Sequence, residues 1–297
     1  MKTEMRQKWR GKMNKVAIAT DSNSGITQEA AKEMGVYVVP MPVIVDGNEF
    51  LEGVSISKAE FFEAQVSGAD VKTSQSSLAD VAKLWDRLLE EYETLVYIPM
   101  TKSLSGSYST TVMLSENYDG RVKVVDNQRI SVTQKQSVRI AKKMADDMKT
   151  AAEIQAYLEQ TALDASIYIT VETLHYLKKG GRITKTAAAI GEVLNIRPVL
   201  QIQGGMIDAY KKVRGRNKAK QEIINAIKYD LEHRFADIKE KKEAYICIAH
   251  ADVEEEAHEW KKVIEQVFPG YKIEVDELSL NICTHVGKGT IGMAVAF

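Results

Sequence analysis

The stretch Thr94–Ser109 reads TLVYIPMTKSLSGSYS. Leu95 to Ile98 is a short run of branched and aromatic side chains closed by Pro99, which predicts a buried strand. Hydroxyls follow at Thr101, Ser103, Ser105, Ser107 and Ser109, and Gly106 among them lets the backbone approach a ligand closely. A helical pattern begins near Tyr108. A strand feeding a hydroxyl- and glycine-rich turn into a helix N-terminus gathers free N–H groups and hydroxyls, which suits an anion. The same pattern fits an ordinary strand-to-helix loop with a serine cap. This stretch alone leaves both readings open.

Outward from it, short strands alternate with helices. Val16 to Thr20 predicts a first strand running into the turn-rich Asp21-Ser22-Asn23-Ser24-Gly25, and Thr27 caps a helix to about Met34. Val36 to Val39 is a second strand, and Asp46-Gly47 marks a hairpin between Val43 to Val45 and Asn48 to Leu51. Ser57 with Glu60 forms a capping box for a helix through Gln65. A second hydroxyl cluster, Thr73-Ser74-Gln75-Ser76-Ser77, opens a helix from about Leu78 to Tyr92. After the organising strand come a strand at Val122 to Val125 and helices over Val132 to Met148 and Ala151 to Ala162. The alternation predicts an α/β layer with a mainly parallel sheet over residues 14–163, whose ligands sit beyond the carboxyl ends of the strands.

A second unit, residues 164–297, reads as α+β. It has a strand at Ile167 to Val171, a helix at Thr173 to Leu177 running into Lys178-Lys179-Gly180-Gly181-Arg182, and a further helical stretch after Ala189. Gly204-Gly205 predicts a hairpin; Asn217 to Phe235 and Val253 to Val267 read as helices. Ala244 to Ala249, Lys272 to Leu278 and a closing run at Thr290 to Phe297 read as strands. Residues 1–13 read as a flexible basic tail without the apolar stretch of a secretory signal.

The chain has 297 residues, 44% of them hydrophobic, and a net charge of −1. It is long enough for a sizeable core and carries no global field favouring nucleic acid or an anionic membrane surface. Cys247 and Cys283 are far apart in apolar settings, which fits a reducing, cytoplasmic location and predicts no disulfide. No apolar run reaches membrane-spanning length. Gly287-Lys288-Gly289-Thr290-Ile291-Gly292 matches GxGxxG, but too little chain follows for a dinucleotide unit. A glycine-rich turn packed close to a ligand is the better expectation. The P-loop pattern GxxxxGK[ST] is absent, and no Asp, Glu, His or Cys group has metal spacing. His285, expected on a loop beside those glycines with no charged partner, is a candidate ligand contact. The basic clusters Lys178, Lys179, Arg182, Lys185 and Lys211, Lys212, Arg214, Arg216 lack aromatic stacking partners, so solvated surface or a local anion site fits better than nucleic acid. A serine esterase or acyltransferase using Ser105 with His285 as base is the alternative. It lacks the G-x-S-x-G elbow, and abundant hydroxyls with little acid–base machinery suit holding an oxyanion.

Taken together these motifs resemble the DegV family, fatty-acid-binding proteins that include the FakB subunits of bacterial fatty acid kinase. The likeness covers about Lys15 to Phe297. Its markers are Asp21-Ser22, T-S-Q-S at Thr73 to Ser76, S-L-S-G-S-Y at Ser103 to Tyr108 and Y-L-K-K-G-G-R-I at Tyr176 to Ile183, then Arg197-Pro198, V-R-G-R at Val213 to Arg216 and H-V-G-K-G at His285 to Gly289. The resemblance implies a Rossmann-like N-terminal domain, an α+β C-terminal domain, and a long-chain fatty acid such as palmitate, stearate or oleate between them. It further implies that Thr73, Ser105 and His285 hold the carboxylate, with Ser74 and Gly106 as neighbouring groups and Arg182 and Arg214 as basic residues near the carboxylate end or on the kinase-facing surface. It implies a non-catalytic subunit without cofactor or metal that serves a partner fatty acid kinase. A monomer is the default expectation.

Overall fold

The computed structural model describes residues 16–189 and 196–297. The expected tail and the helical stretch after Ala189 lie outside or largely outside the described residues. In chain order the N-terminal half contains β1 (Val16–Asp21), α1 (Gln28–Met34), β2 (Tyr37–Val39), β3 (Pro42–Val45), β4 (Asn48–Leu51), α2 (Lys58–Val66) and β5 (Val71–Thr73). It continues with α3 (Leu78–Glu91), β6 (Thr94–Ile98), α4 (Ser107–Ser115), β7 (Val122–Val124), α5 (Ser131–Asp146) and α6 (Ala151–Gln160).

Four strands form a parallel sheet in the order β2-β1-β6-β7. The chain leaves β1 toward one edge and returns through β6 toward the other, so the order reverses between these two strands. Such a switch point opens a crevice at the carboxyl ends, and Thr20 pairs with Ile98 just where both loops depart. Asp21 ties the two loops together. Its carboxylate accepts from the Met100 N–H at 2.9 Å, the Asn23 N–H at 3.0 Å and Gln134 Nε2 at 3.2 Å. Burial pushes that carboxyl upward in pKa, and the donated hydrogen bonds oppose the shift.

The strand β5 was not foreseen. Residues Val71–Thr73 join β3 and β4 in a three-stranded antiparallel sheet, with Thr73 opposite Val43. Three residues, one of them lysine, carry too little alternation to read as a strand, yet this pairing fixes where Thr73 points.

The C-terminal half contains β8 (Ala165–Thr170), α7 (His175–Gly180), α8 (Lys185–Ala188), β9 (Ile196–Ile202), β10 (Asp208–Arg214), α9 (Arg216–Tyr229), α10 (Ala236–Lys239), β11 (Tyr245–His250), α11 (Glu254–Val267), β12 (Ile273–Glu277), α12 (Leu280–Val286) and β13 (Ile291–Ala296). The sheet order is β10-β9-β8-β13-β11-β12, mixed, with β11 and β12 its parallel pair. The final strand therefore lies inside the sheet, between β8 and β11, rather than closing an edge. Two further expectations are corrected. The helix expected over Thr173 to Leu177 runs on through Lys178, Lys179 and Gly180, and His285 stands in the last turn of α12 rather than on a loop. Ser279 caps α12 by accepting from the Ile282 N–H at 3.4 Å, a signal that the glycine run just downstream obscured.

Period-two alternation sends the two faces of the large sheet to different cores. Tyr168, Met293 and Val295 pack with side chains of α9 and α11, whereas Ile167, Ile169 and Ala294 face the N-terminal half. On that inner side they join Phe61 and Phe62 of α2 and Ile130 and Val132 at the start of α5. Partly buried ion pairs cross between the halves, Lys135 to Asp276 at 2.8 Å and Arg139 to Glu274 at 2.9 Å, matching i, i+4 on a helix to i, i+2 on a strand.

Gly292 shows how tightly the sheet centre is filled. A Cβ there would sit 2.4 Å from the Tyr168 carbonyl oxygen and 2.6 Å from Ile169 Cγ2. Backbone in a central strand cannot step aside, so Gly292→Ala is expected to destabilise the fold by about 1–3 kcal/mol, read as a lower urea midpoint at unchanged slope. An unshifted midpoint would mean that the sheet yields at this point.

Candidate functional site

Between the halves lies a cavity of about 300 Å³, within the size range of small-molecule sites. Its walls are mostly aliphatic: Met100, Leu104, Ile130 and Val132 from one half, Ile167 and Ile169 from the other. Polar groups collect on the sides supplied by β5, the start of α4, the end of α12 and the turn after α7. Thr73, Ser74, Ser105, Gly106, Arg182 and His285 all line the cavity.

Each arrives by a different local device. Thr73 is the last residue of β5, and its Oγ1 lies 3.1 Å from His285 Nε2. Ser105 precedes α4; its hydroxyl accepts from the Ser107 N–H at 3.1 Å and shares a 2.9 Å bond with the Ser107 hydroxyl. The N-cap of α4 is Gly106 rather than a serine, and Ser105, one residue earlier, accepts from a helix-terminal N–H while lining the cavity. Gly180 makes room for the imidazole: a Cβ there would lie 2.2 Å from His285 Nδ1.

The electrostatics are distinctive. Burial, with the Arg182 guanidinium as the lesser cause, pushes His285 down to about 4, so the ring is neutral near pH 7. Its Nδ1 is buried without a hydrogen-bond partner among the described residues. Arg182 is held by carbonyl oxygens alone; Nε donates to Leu104 O at 3.2 Å and Nη1 to Gly180 O. No Asp or Glu forms an ion pair with it among the described residues, in contrast to Lys179, Arg197 and Arg216. A cation lining an apolar cavity with no acidic partner is a place for an anion.

The serine–histidine pair of a hydrolase is not assembled. Ser105 is bonded to Ser107, and His285 to Thr73, with no carboxylate on the second ring nitrogen. Arg214 does not join the group: it ends β10 as an exposed side chain away from the cavity lining. Three of the remaining basic residues are neutralised by acidic partners, Lys179 by Asp70 at 2.6 Å, Lys211 by Glu222 at 2.7 Å and Arg216 by Glu172 and Glu256. His250 is buried at the end of β11 and does not line the cavity. The GxGxxG run is a turn with Gly287 and Gly289 at positive φ that leads into β13, and of the run only Gly292, in that strand, reaches the cavity. Among the described residues no cluster has metal-binding composition, and no helix is long and apolar enough to cross a membrane.

Reading the sequence missed Asn281, which lines the cavity while its amide donates to Pro42 O at 3.1 Å, and Gln75, which sits within the T-S-Q-S run. The run itself was the available signal for Gln75; nothing in the sequence marks Asn281.

Fold and site together define a two-lobed α/β protein with an apolar chamber between the lobes and an unneutralised cation on its wall. The chain belongs to the DegV family: the profile described as "Uncharacterised protein, DegV family" matches residues 15–297. A DegV domain-containing protein of Caldanaerobacter subterraneus is 29% identical over 95% of this chain and 98% of its own length. Among solved structures, a fatty-acid-binding DegV family protein from Thermus thermophilus superposes with a TM-score of 0.85 at 29% identity, covering 95% of this chain and 99% of that one. A stearic-acid-binding protein from Eubacterium ventriosum gives 0.82 at 26% identity, over 94% and 97% of the two chains.

Proposed function

We propose that this chain is a cytosolic carrier of long-chain fatty acids. The acyl chain lies in the apolar cavity, and the carboxylate meets the Thr73 and Ser105 hydroxyls and His285, with Arg182 compensating its charge. The observation that carries this reading is Arg182, a guanidinium facing an apolar chamber without an acidic partner among the described residues. The energetics favour a carrier. Each buried methylene contributes about 0.8 kcal/mol, so a 16-carbon chain has on the order of 10 kcal/mol available before ordering costs. The polar end then has only to orient the head group and avoid a buried, unpaired charge.

The carrier is non-catalytic. It presents the carboxylate to a partner fatty acid kinase, and the acyl-phosphate formed passes onward to phospholipid synthesis. Hydroxyls and one imidazole hold a carboxylate without enclosing both oxygens, leaving one to attack a phosphoryl group. The sequence has no P-loop to bind the nucleotide itself.

Mass spectrometry of an organic extract of the purified, denatured protein tests the binding step. The expected result is a C14–C18 fatty acid near one per chain, or its uptake from an added mixture by protein purified empty. Neither retention nor uptake would remove the carrier reading. Delivery is tested separately, by adding ATP and a fatty acid kinase to the loaded chain and trapping acyl-phosphate with hydroxylamine; none formed would remove the kinase step alone.

A further inference from the structure

The two hydroxyl loops come from different elements, and one side chain spans them. Gln75 follows Thr73 and Ser74; its Oε1 accepts from the Thr110 hydroxyl, in the first turn of α4, at 2.9 Å. The loop beneath it is pinned on both sides. The Ser74 hydroxyl donates to Gln75 O at 3.2 Å, and the Ser76 hydroxyl donates to Pro40 O at 2.8 Å. Gln75 itself is exposed, yet it lines the cavity together with Ser105 and Gly106. It therefore lies at the rim, where the cavity meets solvent.

Gly106 is shaped around this amide. Its φ of −74° and ψ of −7° are open to any residue, so backbone conformation does not demand glycine here. The contact is with the amide: a Cβ at Gly106 would lie 2.4 Å from Gln75 Nε2, the end of a flexible side chain that would have to swing aside. The amide nitrogen, placed against that glycine, donates to no acceptor among the described residues, while its oxygen is occupied by Thr110. An amide whose acceptor end bonds Thr110 and whose donor end meets only solvent, at the mouth of a cavity lined by Thr73 and Ser105, can give that donor to an oxygen placed there.

We infer that Gln75 is a further ligand-binding residue, a latch that bridges the two hydroxyl loops over the mouth and donates Nε2 to the bound carboxylate. The inference rests on the fatty-acid reading above and adds to it a residue that governs how long the ligand stays. With Gln75 in place the loops are held together and the carboxylate gains one more donor. Without it the mouth is open to water and the remaining hydroxyls hold the head group alone.

The test loads the full chain with radiolabelled palmitate and follows transfer to excess albumin. Gln75→Ala is expected to speed release about tenfold, the scale of one hydrogen bond to a charged group, with an unchanged thermal midpoint. Gly106→Ala is expected to speed release as well, because the new methyl displaces the amide. In the Gln75→Ala background the same change should add nothing, since no amide remains to displace. Gln75→Glu sets a carboxylate against a carboxylate, so its release should be faster at pH 8 than at pH 4.5. Palmitate held equally long by wild type and Gln75→Ala, or an equal Gly106→Ala effect in both backgrounds, would overturn the latch while leaving the carrier standing. Failure of the wild type to take up palmitate would remove both.

Discussion

Arg182→Met is expected to lower fatty-acid affinity by about one to two orders of magnitude, since Arg182 is partly buried, a hydrogen bond to a charged group is worth about 1.5–3 kcal/mol and each decade corresponds to about 1.4 kcal/mol. Methionine keeps most of the aliphatic stem and removes the charge. The loss is not a packing defect, because Arg182 contributes little to the apolar walls and is held by the Leu104 and Gly180 carbonyls. The decisive control is a neutral ligand of equal length, a fatty alcohol or methyl ester, whose affinity should change far less than that of the acid. Equal losses for acid and alcohol would mean that Arg182 shapes the cavity and does not pair with the head group. Arg182→Lys should recover only part of the affinity, because an ammonium cannot donate to Leu104 O and to a ligand in the planar fork that guanidinium provides.

What the sequence disclosed about this site followed from how local each signal was. The parallel sheet was legible because β1 and β6 are continuous apolar runs, buried along nearly their whole length, with turn chemistry at both ends. The hydroxyl turn at Ser103 to Ser107 was legible for the same reason, as strand, turn and helix lie within sixteen residues of chain. By contrast, β5 is too short to alternate and exists through its long-range pairing with β3. The helix that carries His285 was hidden because a seven-residue segment of mixed composition borders glycines that read as loop. The pairing of Thr73 with His285 spans 212 positions of sequence and could be reached only through family likeness. Arg214, in the V-R-G-R marker, is exposed on its strand, which leaves it outside the cavity and on the surface, the second of the two places the family likeness implies. Gln75 shows the converse, a residue inside a quoted motif whose importance emerges only when Gly106 is seen against it.

Two partly buried groups, His285 in the cavity wall and Glu52 outside it, should give opposite pH signatures in the stability of the empty protein. Burial pushes His285 down to about 4 from an ordinary 6.5, so the unfolded chain binds the proton more readily. Its contribution is complete above pH 6.5 and is lost as pH falls toward 4. Glu52 behaves in reverse. Burial pushes its carboxyl up to about 7, against a backbone hydrogen bond from Leu280 and the charge of Lys58, and its Oε2 has no partner among the described residues. Its contribution is complete below about 4.5 and is lost as pH rises through 7. Shifts of this size correspond to on the order of 3 kcal/mol each, so the two largely cancel in the wild type between pH 4.5 and 6.5. Substitution separates them. Glu52→Gln should stabilise the protein at pH 8 and leave it unchanged at pH 4, a gain from removing a charge. His285→Gln should leave stability near the wild-type value at pH 8 and improve it relative to wild type at pH 4.5. Urea titrations across pH 4–8 on the three proteins read both effects, and parallel curves for all three would refute the assignment. The bound acid supplies the link to function. A carboxylate beside His285 favours the imidazolium and raises its pKa, so palmitate should shrink the pH dependence assigned to His285 and leave that of Glu52 intact. An acid-side difference between wild type and His285→Gln that is the same with and without ligand would place the carboxylate elsewhere.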